Sequence, residues 1–188
     1  KTIINIAKYG ESFTYELPIS KIGRIASKIL KAPYHNGIVF AGYIQGKVHL
    51  ISYNFAEKTR ICQSSSWEVS RVNELTQNGH IFYALLDNAS ISACDMTSGE
   101  TLWNRFETGK IEPSILVHND KVIYACQNVV KIADGEKVDI IRIPIHYPES
   151  LLAVSDNRLY YLSDHRKKLC CFHLEKREIV WEMSSISE

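Results

Sequence analysis

NGHIFYALLDNASISACDMTSGETLW, residues 78–103, and DNRLYYLSDHRKKLCCFHLEKREIVW, residues 156–181, decide how this chain folds. Set one above the other without a gap, they keep a constant offset of 78 and bring Trp181 under Trp103. Two repeats of about 39 residues fill that interval. The intermediate copy, NDKVIYACQNVVKIADGEKVDIIRI, starts at Asn119, and an earlier one, NGIVFAGYIQGKVHLISYNFAEKTRI, starts at Asn36. Starts at 36, 78, 119 and 156 are spaced by 42, 41 and 37 residues, close to the roughly 40–45 residues of a propeller blade and far longer than the repeat of a hexapeptide β-helix. Residues 1–17 carry a partial copy in which Gly10-Glu11-Ser12 matches Gly99-Glu100-Thr101, with its first two strands missing.

Each copy has the chemistry of strand, turn, strand. Ile81-Phe82-Tyr83-Ala84-Leu85 is a β-rich run, Asp87-Asn88 suits a tight turn, and Ile91 to Met96 forms the next strand. Thr97-Ser98-Gly99-Glu100 then turns the chain into Thr101-Leu102-Trp103. Gly99 is suited to a positive φ there, where a Cβ is costly, and Arg177 at the same point of the last copy departs from that pattern. A short apolar strand precedes each copy, at Ile29-Leu30, Val72 to Leu75, Ile115 to Val117 and Leu151 to Val154, making four strands per unit. Apolar runs of about five residues, broken by turn residues, leave room for helix only as a single turn around Ser20 to Lys28. A lone four-stranded unit cannot bury both faces, so neighbours stack about an axis. The expectation is an all-β fold, a β-propeller of repeated four-stranded antiparallel blades, about four full blades plus a half blade. The blade limits are 1–20 (partial), 21–67, 68–106, 107–144 and 145–188. They form either a small ring or an arc of a larger propeller. An open arc leaves strand edges and an apolar blade face exposed, which drives association.

Asp95-Met96-Thr97-Ser98-Gly99-Glu100-Thr101-Leu102-Trp103 resembles the blade ending of quinoprotein-type (PQQ-like) propeller repeats. The Trp-Asp and Gly-His pairs of WD-repeats are absent, since Trp67 and Trp181 precede Glu and Trp103 precedes Asn. The resemblance implies a fold and leaves function to the grafted site, because such propellers serve dehydrogenases, assembly scaffolds and luminal sensors alike. Quinoprotein alcohol dehydrogenases stack a vicinal disulfide on their cofactor, but Cys170-Cys171 fall opposite Ser92 and Ala93 in mid-strand, where two thiols face opposite ways. An oxidoreductase fragment of that kind is therefore the least favoured reading, and no cofactor is expected.

Composition narrows the partners. With 22 basic and 21 acidic side chains among 188 residues, the formal charge of +1 gives nucleic acid no electrostatic footprint. No run approaches the roughly 18–20 apolar residues that cross a bilayer. Five cysteines without a CxxC indicate neither a full disulfide framework nor zinc. That odd number, and a start at Lys1 without a signal-peptide pattern, favour the cytoplasm, with an extracytoplasmic place open if the N-terminus is processed. The seven histidines show no HxH or HExxH spacing, and neither a metal nor a catalytic set is expected.

Trp103 and Trp181, at equivalent positions, read as packing residues between blades. Trp67, on the polar connection Gln63-Ser64-Ser65-Ser66-Trp67-Glu68, reads either as a contact anchor or as an inward plug. In propellers the turns between second and third strands share a face with the connections between blades. His165, Arg166 and Lys167 of the basic hairpin tip, with Trp67, His146 and Tyr147, thus make one candidate binding rim. The resulting expectation is a non-catalytic domain that binds a protein or peptide through the loops of one face, as a scaffold or recognition part of a larger assembly. The alternative is an extracytoplasmic sensor or ligand-binding domain that dimerises. Self-association and the remaining blades of a larger chain are further candidate partners.

Overall fold

Turn chemistry sets the strand limits throughout. Asn119-Asp120 carry φ of 49° and 60°, and Asp156-Asn157 carry 49° and 59°, the left-handed pair that a two-residue hairpin needs and that Asn and Asp tolerate best. Between such turns the β-branched and aromatic runs extend. The computed structural model describes residues 2–8, 11–17, 22–33, 35–57, 59–63, 66–127, 129–135, 137–143 and 148–184, and side-chain surroundings from residue 24 on, apart from 58–65. Among these there is no helix, and so none long and apolar enough to cross a membrane.

The strands form a hairpin and four larger sheets. Strands β1 (Thr2–Lys8) and β2 (Glu11–Leu17) make the hairpin, the half blade. The first full sheet holds β3 (Ile22–Ile25), β4 (Leu30–Lys31), β5 (Gly37–Ile44), β6 (Lys47–Asn54) and β7 (Thr59–Gln63). Its inner edge is split, with β3 and β4 both pairing β5. Where a helical turn is expected, residues 22–25 are extended. Ile22 pairs Ile44, Ile25 pairs Gly42, and Ala26 N donates to Ala41 O at 2.7 Å, so sheet pairing overrides local propensity. The second sheet holds β8 (Val72–Asn78), β9 (Ile81–Leu86), β10 (Ser90–Asp95) and β11 (Thr101–Phe106); the third holds β12 (Ile111–His118), β13 (Lys121–Cys126), β14 (Val129–Asp134) and β15 (Lys137–Ile141). The fourth holds β16 (Ser150–Ser155), β17 (Arg158–Ser163), β18 (Lys168–His173) and β19 (Glu178–Ser184). Every neighbouring pair is antiparallel, and all but β3–β5 are sequential.

Three hydrogen bonds recur in register: Phe55 N to Asn36 O, Met96 N to His80 O and Leu174 N to Asn157 O, at 2.8, 3.0 and 2.8 Å. Each ties a first-to-second-strand turn to a third-to-fourth-strand turn, which puts those turns on one face and the remaining loops on the other. The gapless offset of 78 needs a correction. Tyr83 stands opposite Ala93, but Tyr160 stands opposite Cys171. Four residues, Asp164 to Lys167, join β17 to β18, whereas three, Asp87 to Asn88 to Ala89, join β9 to β10. Equivalent residues are thus 77 apart in the first two strands and 78 apart in the last two. A one-residue slip flips every side chain of a strand, yet Phe82-Tyr83-Ala84-Leu85-Leu86 is buried on both faces, so the pattern conceals it.

The core lies in layers between sheets. Val39, Leu50 and Trp67 of the first full sheet and its exit pack with Leu75, Phe82 and Met96 of the second. Tyr83, Leu85 and Ile91 on the other side of that second sheet pack with Val122, Tyr124 and Ala133 of the third. Ile123, Val130 and Ile141 of the third meet Leu159, Tyr161 and Phe172 of the fourth. Each sheet is buried by its neighbours, as stacked blades require.

Candidate interaction face

Arg71, Asn73, Asp87, Lys110 and Arg166 line one groove of about 690 Å³, floored by Val72, Leu85, Leu86, Ile111 and Pro113. These residues come from three sheets. Arg71 and Lys110 stand just before the inner strands β8 and β12, and Arg166 projects from the tip joining β17 to β18. The tip is held in an uncommon shape, with Asp164, His165 and Arg166 at φ of 51°, 55° and 65°. Left-handed backbone costs a residue with a Cβ roughly 1–2 kcal/mol. Here Lys167 N donates to Asp164 O at 3.1 Å and His165 N donates to a Glu149 carboxylate oxygen at 2.7 Å, which help to offset that cost.

Charges around the groove are unequally engaged. Asp87 accepts from Ser70 N, at 3.2 Å for the nearer oxygen, and from the Ser70 hydroxyl. Glu112 faces Lys110 at 3.4 Å. Arg71 Nε donates to Asn73 Oδ1 at 2.8 Å. The acids are thereby matched within the protein, and the exposed Arg166 lines the groove.

A buried network braces the groove's wall. Glu107 N donates to Ala89 O at 3.0 Å, and the Glu107 carboxylate accepts from Tyr124 OH at 2.5 Å, Lys131 Nζ at 2.5 Å and Arg105 Nε at 2.9 Å. Burial works to raise the Glu107 pKa, but those donors outweigh it and hold the carboxyl below its ordinary value. Burial and the Glu107 carboxylate push the Tyr124 phenol well up, so it stays a donor. One acid thus locks the second sheet to the third.

The rim expected from sequence is only partly assembled. Arg166 lies in the groove, while His165 and Lys167 are exposed on the same tip without lining it. His146 and Tyr147 lie outside the described residues. Trp67 as a contact anchor must be corrected: it is 6% exposed, bridges Val48 through two backbone bonds of 2.8 and 3.2 Å, and fills the layer between the first two full sheets. The physical reason is the desolvation of a large ring, which outweighs an Nε1–H that finds no hydrogen-bond partner among the described residues. Sequence reasoning missed Arg71 and Lys110. Their signal was available, since they lie 39 residues apart at the same point of consecutive repeats.

Structural cysteines behave as buried thiols. Cys94, Cys126, Cys170 and Cys171 are buried, and Cys170 belongs to the layer against the third sheet while Cys171 pairs Tyr160 and Trp181 on the opposite side. Among the described residues no three His, Cys, Asp or Glu side chains gather as metal ligands.

The sequence matches no protein-family model and no curated protein. In structure the chain is similar to β-propellers. The Cps50 (Swd1) β-propeller domain of Myceliophteria thermophila aligns at a TM-score of 0.67 and 10% identity over 90% of this chain and 59% of that one. BamB from Moraxella catarrhalis aligns at 0.60 and 13% identity, over 85% and 53%. A chain of the mitotic checkpoint complex aligns at 0.58 and 14% identity, over 81% and 50%. At these identities the likeness shows the fold alone: four stacked antiparallel sheets of a β-propeller. No family match supports the quinoprotein-type subset over other propellers. The chain spans about half the length of the solved structures it matches.

Proposed function

We propose that the chain is a non-catalytic interaction domain that seats an extended protein segment in the groove of Arg71, Asn73, Lys110 and Arg166. The observation that carries this reading is the convergence of loops from three blades on one groove, with an apolar floor and with its acids already matched. Such a floor holds apolar side chains, while guanidinium groups orient carboxylate or carbonyl oxygens of the segment. The propeller neighbours support it in a general way, since one comes from a named complex. The test is panning of a phage-displayed random peptide library on the immobilised chain, against a chain carrying Arg71→Glu and Arg166→Glu. Both residues are outside the buried layers, and circular dichroism checks that the sheets persist. Peptides enriched on the parent and lost on the double variant are expected. Equal recovery on both, or no enrichment on either, removes the groove as a docking site.

A further inference from the structure

The groove runs on into a second hollow of about 450 Å³, lined by Arg24, Ala26, Ser27, Lys28 and Ser70, and the two share Arg71 and Val72. Ser70 joins them. Its N–H and hydroxyl donate to Asp87 in the groove, while its carbonyl accepts from Arg24 Nη2 at 3.1 Å. Among the described residues, five cationic side chains line this continuous trough, Arg24, Lys28, Arg71, Lys110 and Arg166, against two carboxylates, Asp87 and Glu112. That surplus is local, because the whole chain has 22 basic and 21 acidic side chains.

The two lysines are already matched, Lys28 by Glu74 and Lys110 by Glu112. The arginines are not: Arg24, Arg71 and Arg166 enter no ion pair among the described residues. Arg24 lies 4.4 Å from the centroid of the Tyr43 ring and donates to Tyr43 OH at 2.8 Å as well as to Ser70 O. Arg71 Nε donates to Asn73 Oδ1. These acceptors are neutral, so they hold each guanidinium in place without cancelling its charge. Holding it in advance also lowers the ordering cost that a long side chain brings to binding.

We propose that the extended segment seated here is acidic, with carboxylates meeting Arg166, Arg71 and Arg24 along the trough and apolar side chains resting on Val72, Leu85 and Ile111. This deepens the reading of the groove as a docking site and rests on it. Charge complementarity selects the partner, since guanidinium groups pair best with carboxylates. The floor is aliphatic, and among the described residues no aromatic ring lines the trough to stack a base, which favours a peptide over a nucleic acid.

Three fluorescein-labelled pools of synthetic peptides test the proposal, each a random mixture of Leu, Val and Ser with either Glu, Gln or Lys as the only other residue. Each pool is passed over the immobilised 188-residue chain and over its Arg24→Glu, Arg166→Glu and Lys176→Glu variants. Lys176 is an exposed cation on the turn joining β18 to β19, on the opposite face, and serves as the control. All three positions are exposed, and circular dichroism checks that the sheets persist. The Glu pool is expected to be retained about tenfold more than the Gln pool, and the Lys pool least. Arg24→Glu and Arg166→Glu should each cut retention of the Glu pool at least about threefold, and Lys176→Glu should leave it unchanged. Equal retention of the Glu and Gln pools, lost with Arg166→Glu, overturns the acidic partner and leaves the groove standing as a docking site. A Glu pool indifferent to Arg24→Glu overturns the continuous trough, and one cut equally by Lys176→Glu reduces the effect to net charge and overturns the site. Retention of no pool overturns the proposal, as does stronger retention of a labelled single-stranded oligonucleotide than of the Glu pool. The groove itself stands or falls by peptide panning, so the two failures are told apart.

Discussion

Gly99 and Arg177 occupy one turn position with different chemistry. Gly99 has φ of 80° and its N–H donates to Asp95 O at 2.8 Å; Arg177 has φ of 56° and its N–H donates to His173 O at 2.8 Å. The turn survives a side chain, so the departure noted in the sequence is one of residue type and not of backbone. Arg177 also donates to both Asp139 carboxylate oxygens at 3.0 Å, tying the last blade to the one before. Gly99→Ala is expected to destabilise by about 1–2 kcal/mol in urea unfolding, because a Cβ is forced into left-handed backbone. Arg177→Gly should change stability by less than about 1 kcal/mol, since relief of that strain offsets an exposed ion pair. Glu107 is different in kind, for its side chain is only 5% exposed and faces two cations. Glu107→Gln is expected to cost about 3 kcal/mol or more by leaving Lys131 without its counter-charge. Because the native Glu107 pKa is depressed, its stabilisation is complete above the ordinary carboxylate range and is lost as pH falls through the native value. Urea midpoints between about pH 3 and pH 6 should therefore fall more steeply for the parent than for Glu107→Gln.

Strands were legible because each is a short apolar run closed by Asn, Asp or Gly, and β8 to β19 follow those runs closely. Connections were not legible in the same way. Trp67 sits among serines, and only the gap between two sheets explains why its ring turns inward. Trp67→Ala should cost about 3–5 kcal/mol through the cavity left between those sheets. A thermal melt separates this from a surface anchor, whose truncation changes stability by no more than about 0.5 kcal/mol. The β17–β18 hairpin carries the other lesson. Its extra residue shifts register, and that shift is not visible in hydrophobicity because the four inner positions of each flanking strand are apolar.

For the molecule as a whole, stability is the sum of separate layers and not of one central core. Among the described residues the second full sheet is covered on both sides and the last on one. Amides of β17 and β18 are expected to exchange with deuterium sooner than those of β9 and β10. Equal protection would mean that the layers unfold as a single unit. Repeat spacing and turn chemistry determined by themselves that the fold is built from four-stranded blades, how many the chain holds, and that Gly99 takes a left-handed turn, because these depend on interactions a few residues long. Tertiary structure alone decided that Trp67 is a plug, that equivalent strands slip by one residue, and that Arg71, Lys110 and Arg166 share a groove. Those outcomes follow from how neighbouring sheets twist and stack, a geometry set by side chains far apart in the chain.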